Sequence, residues 1–166
     1  MVSEKDSKKE ELENLKKEYL KLKKKFNLPG FDEMNQDFHI EKLSETESIY
    51  LIREVRRFMV EKLSHYMRFV EATLNPSNAT LFVFSVVKTL NSEDKKSLSE
   101  VYKELMKIEL KVVELDLIFD ENEEANFVVE VFKTWQKIKK DLSGVLKKVN
   151  DNWDKEVELN NKGYFG

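Results

Sequence analysis

Residues 79–90 read ATLFVFSVVKTL, and whether this run is strand or helix decides the fold class. Its Val, Phe and Thr content favours a strand. A lone strand, however, leaves its backbone N–H and C=O groups unpaired, and no second segment has strand character. The run is therefore expected to be a short helix, apolar nearly all round and so buried or bound. The chain is expected to be all-α.

The flanking segments agree. Within residues 45–74, placing residues 100° apart puts Ile49, Ile52, Val55, Met59, Leu63, Tyr66 and Val70 on one face. Ser44-Glu45-Thr46-Glu47 has the pattern of a capping box that opens this helix, and Asn75-Pro76 closes it. On the other side, Ser92 with Glu93 and Asp94 starts a helix to about Phe119. Leu98, Val101, Leu105, Ile108, Val112 and Phe119 face inward on it. The acidic hinge at residues 120–124 suits the N-terminal dipole of a last helix over 122–155. The stripe of that helix runs from Phe127 through Val131, Trp135, Ile138, Leu142, Val145 and Val149 to Trp153.

Residues 4–27 carry Leu12, Leu15, Tyr19, Leu22 and Phe26 at spacings of 3, 4, 3 and 4, surrounded by Lys and Glu. This a/d pattern predicts a helical arm that folds back on the bundle or pairs with another chain. Leu28-Pro29-Gly30 ends it. The expected organisation is an arm (1–28), a connector with a short helix (29–43), a bundle of three long helices and one short apolar helix (44–159), and an extended tail (160–166).

Composition excludes several chemistries. The chain has 166 residues, with Lys+Arg 29 against Asp+Glu 32 for a net charge of −3, so no overall field draws it to nucleic acid or membrane. Four glycines leave no phosphate-cradling loop, and the absence of cysteine removes disulfides, zinc ribbons and thiol nucleophiles. No apolar run approaches the roughly 18–20 residues of a membrane span. The segment Met1 to Leu28 is charged throughout, without the apolar core of a signal peptide, and the cytoplasm is the expected compartment. His39 and His65 lie on different segments, and neither fits a metal-ligand spacing, so no metal, cofactor or small-molecule substrate is expected.

Two basic features remain. All four arginines, Arg53, Arg56, Arg57 and Arg68, sit on the 45–74 helix, and Arg56 falls inside its apolar stripe. A buried guanidinium needs a carboxylate, so Arg56 is expected to pair with Asp116 or Glu109 on the 93–119 helix. Arg53, Arg57 and Arg68, together with Lys133, Lys137 and Lys140 on the last helix, form a candidate anion or nucleic-acid surface. The reading that follows is a non-enzymatic module that binds a protein partner or itself, with Leu12, Leu15, Tyr19, Leu22 and Phe26 as the partner-binding stripe. An RNA- or ribosome-associated helical protein is the alternative.

Overall fold

A computed structural model describes the backbone of residues 4–46 and 48–162 and the side chains of residues 6–46 and 48–153. The described residues are all-α: α1 (Glu4–Phe26), α2 (Phe31–Phe38), α3 (Leu51–Leu74), α4 (Leu81–Thr89), α5 (Ser92–Leu117) and α6 (Glu121–Lys162), with 3₁₀ turns at Ile40–Glu45 and Pro76–Asn78. Within the decisive run at 79–90, Leu81–Thr89 is helical as α4. The packing forms two compact units. Unit 1 comprises Met1–Leu63 and Glu109–Lys133; unit 2 comprises Ser64–Ile108 and Thr134–Gly166.

In unit 1 the arm packs on α2 and on the 40–45 turn. Leu15 and Tyr19 are buried. The Tyr19 hydroxyl donates to the Pro29 carbonyl at 2.8 Å, and its ring meets Phe31 edge-on at 5.5 Å. Burial, aided by the nearby Glu33 carboxylate, pushes the Tyr19 phenol well above its ordinary pKa. The stripe expected to face a partner is thus used at its centre to seat the arm. A short helix gains most of its stability from such packing rather than from propensity.

Local signals set the ends of the short helices. Asn27 and His39 both adopt φ 55°, the left-handed conformation that Asn and His tolerate better than most residues. Asn27 terminates α1, and the His39 N–H donates back to the Asn35 carbonyl at 2.9 Å to close α2. The Gly30 N–H donates to the Glu33 carboxylate at 2.9 Å at the start of α2, and Lys62 Nζ donates to the Asp37 carbonyl at its end.

The start of α3 differs from expectation. Ser44 does not cap a helix; its Oγ donates to the Glu41 carbonyl at 2.8 Å inside the 3₁₀ turn. Glu47, the other half of the expected box, lies outside the described residues. Ser48 Oγ accepts the Tyr50 N–H at 3.2 Å, and α3 begins at Leu51. Ile49, expected in the core, is therefore 91% exposed. From Ile52 onward the pattern holds, with Ile52, Val55, Met59, Leu63 and Val70 buried.

In unit 2, Thr80 Oγ1 accepts the Val83 N–H at the start of α4. The residue that caps α5 is Asn91, not Ser92. Asn91 Oδ1 accepts the Asp94 N–H at 2.9 Å while Asp94 Oδ2 accepts the Asn91 N–H at 3.2 Å, a reciprocal capping box. Lys148 on α6 donates to the other Asp94 oxygen at 2.7 Å. Helix α6 continues to Lys162, so residues 160–162 are helical rather than extended; Gly163-Tyr164-Phe165-Gly166 lie outside the described residues. The expected α6 stripe is buried from Phe127 through Val149 and half-buried at Trp153.

The Asp94 site sets a pH dependence. The Lys148 hydrogen bond, reinforced by the Asn91 N–H, holds the Asp94 carboxyl below its ordinary pKa against the opposing effect of burial. A depressed carboxylate pKa stabilises the fold at pH above the usual value of about 4, and that stability is lost as pH falls through the lowered value. Carbon-detected titration of Asp94 should therefore give a midpoint below about 4 that moves upward in Lys148→Met. An unchanged midpoint in the variant would remove Lys148 as the cause.

Candidate functional site

The Arg56 guanidinium, 1% exposed, sits where α3 meets the end of α5 and the start of α6 in unit 1. Its Nη2 donates to Asp116 Oδ1 at 2.6 Å and its Nε to Glu124 Oε2 at 2.5 Å. Glu124 is fully buried, whereas the Asp116 side chain is 55% exposed. Arg53 approaches the same two acids at 3.9 and 3.7 Å and lies over the Phe119 ring, 5.5 Å from its centroid. Two guanidiniums thus face two carboxylates, and the cluster is charge-balanced without an added anion.

Asp116 is one of the two acids expected to meet Arg56, and Glu124 is a second partner that the sequence did not single out. The acid that is fully buried, Glu124, comes from the hinge rather than from α5. The hinge pattern concealed Glu124. Asp120 caps the helix start, its side chain accepting the Glu123 N–H at 3.0 Å. Glu124, one position further, turns inward on the same face as Phe127 and Val128, which are also buried.

The other predicted residues divide between the two units. Arg57 pairs with Glu54 at 2.8 Å. Arg53, Arg57 and Lys133 belong to unit 1, while Arg68, Lys137 and Lys140 belong to unit 2, where all three are exposed. Of the arm stripe, Leu12, Leu22 and Phe26 are half-buried, and only Leu15 and Tyr19 are fully enclosed. Among the described residues, no group of three or more His, Cys, Asp or Glu side chains could hold a metal ion. No described helix is long and apolar enough to cross a membrane.

The residues that sequence reading missed as a site lie in unit 2. A groove of about 510 Å³ opens between α3, α4 and α6, with Tyr66, Phe69, Phe82, Val86, Leu146 and Trp153 among its walls and His65 and Asn150 as polar members. Tyr66 stacks on Trp135 at 5.1 Å, and Phe82 faces Trp153 at 6.0 Å, so two aromatic pairs brace it. Helix α4 buries Val83 and Val86 but leaves Leu81 86% and Phe82 60% exposed. A helix apolar on every side cannot bury all of its faces against one core, and this excess was the available sequence signal. Comparison of the chain with protein-family models, curated proteins and solved structures gives no match.

Breaking the buried pair should be costly, because the remaining charge loses its partner. Arg56→Met is expected to lower unfolding stability by about 3–5 kcal/mol, and Arg56→Met combined with Glu124→Leu to recover most of that loss. Urea denaturation measures both. A single-variant loss under about 1 kcal/mol would show that the cluster constrains little.

Proposed function

We propose that the chain works as a cytoplasmic, non-enzymatic protein-interaction module that takes an apolar segment of a partner into the groove of unit 2. The observation that carries this reading is the surplus of exposed apolar surface around that groove. Fully burying a Leu or Phe side chain is worth about 1.5–3 kcal/mol, and α4 leaves Leu81 and Phe82 in water beside an apolar channel. Exposed apolar surface grouped in this way marks interaction sites rather than ordinary surface. The arginines support the same reading from the other side, since Arg53, Arg56 and Arg57 already face carboxylates.

A photo-crosslinking residue at position 82 tests it in native lysate, with the same residue at Glu93, exposed in the same unit, as control. One discrete protein adduct from position 82, absent from position 93 and lost with Leu146→Asp, is expected. Equal adducts from both positions would contradict the groove. An adduct removed by ribonuclease would favour the RNA reading through Lys133, Lys137 and Lys140.

A further inference from the structure

Position 65 puts an ionisable group into the wall of the groove in unit 2. His65 is exposed and lines the groove from α3, its ring edge-on to Tyr66 at 6.1 Å. Every wall residue that α4 and α6 contribute is apolar or, at Asn150, neutral. Tyr66 is the other titratable wall residue, and a phenol ordinarily titrates several units above an imidazole. On α3 itself, Glu61 and Arg68 stand one turn before and after His65, one charge of each sign. Lys62 is committed to the Asp37 carbonyl. Histidine is the side chain whose charge ordinarily changes between about pH 5 and 8.

We infer that His65 makes occupation of the groove pH-dependent, with the neutral imidazole as the binding-competent form. The inference rests on the proposal that the groove takes an apolar segment. Such a segment covers His65 and strips water from its ring. Loss of water penalises imidazolium far more than imidazole, and an apolar occupant offers no carboxylate in exchange. Binding therefore expels a proton wherever His65 is charged in the free protein. The sign follows from that linkage: affinity is full above the range in which histidine titrates and falls as pH drops through it. A histidine with the ordinary value of about 6.5 is roughly nine-tenths charged at about pH 5.5. Excluding that form lowers affinity by about tenfold.

The probe is N-phenyl-1-naphthylamine, a dye that brightens in apolar surroundings and is neutral, so an imidazolium does not attract it as an anion. Titrations of the full chain at about pH 8 and about pH 5.5 span the histidine range. Asp94, held below its ordinary pKa, stays ionised at both, and circular dichroism confirms the fold of each protein at each pH. Saturable binding that Phe82→Asp with Leu146→Asp abolishes is expected at the higher pH, weakening about tenfold at the lower. His65→Gln should bind equally at both. His39→Asn changes the chain's other histidine to a type that tolerates its left-handed φ of 55°, and should keep the parent's dependence. Equal parent affinity at the two pH values, a dependence that survives His65→Gln, tighter binding at the lower pH, or loss of binding by His65→Gln at the higher would each overturn this inference alone. Absence of saturable binding at the higher pH, or binding that the double variant retains, would overturn the groove reading and this inference with it.

Discussion

The Arg56 guanidinium has almost no access to water, and that constraint organises unit 1. Guanidinium does not deprotonate in proteins, so a buried one must be met by carboxylate at good geometry or the fold fails. Asp116 from the end of α5 and Glu124 from the start of α6 meet it, at 2.6 and 2.5 Å. The two acids flank the short α5–α6 connection, so one side chain on α3 fixes both ends of that turn. Apolar packing alone would tolerate alternative registers of these helices; a guanidinium held by charge-assisted hydrogen bonds to two carboxylates does not. The fully buried Glu124 leaves one oxygen, Oε1, without a hydrogen bond and 3.7 Å from Arg53, so the second arginine supplies field rather than geometry.

Helical periodicity made much of this readable. The buried residues of α3, α5 and α6 follow the predicted stripes from Ile52 to Val70, Leu98 to Val112 and Phe127 to Val149 because long helices repeat their burial many times. Helix α4 was legible by elimination, since an unpaired strand is untenable. Single positions were harder. Ser44 has the residue type of a cap but serves a 3₁₀ turn, and Asn91, not Ser92, caps α5. In each case two residues of suitable chemistry stand close together, and only tertiary packing selects between them.

The candidate site was less legible than the fold. Glu124 stands among five consecutive polar residues, four of them acidic, and nothing local distinguishes the one that turns inward. The arm shows the opposite difficulty: its heptad spacing is real, yet a stripe that suits a partner chain suits equally the α2 segment that follows it, and Tyr19 is satisfied by Pro29. The groove of unit 2 needs residues from α3, α4 and α6, widely separated in sequence, and no motif announces such a convergence. What did announce it was an imbalance, a nine-residue helix with more apolar surface than its core contact can cover.

Unit 1 therefore devotes its unusual polar groups to internal order, and unit 2 carries the apolar groove that the proposed partner would fill. Trp153 lines that channel, which makes the claim directly measurable with anilinonaphthalene sulfonate, a dye that brightens on apolar surface and accepts energy from tryptophan. Under conditions where the protein is fully folded, the account predicts saturable dye binding with one site per chain, accompanied by quenching of tryptophan emission and abolished in Phe82→Asp with Leu146→Asp. Dye binding that the double variant leaves unchanged, or no binding by the folded parent chain, would contradict it.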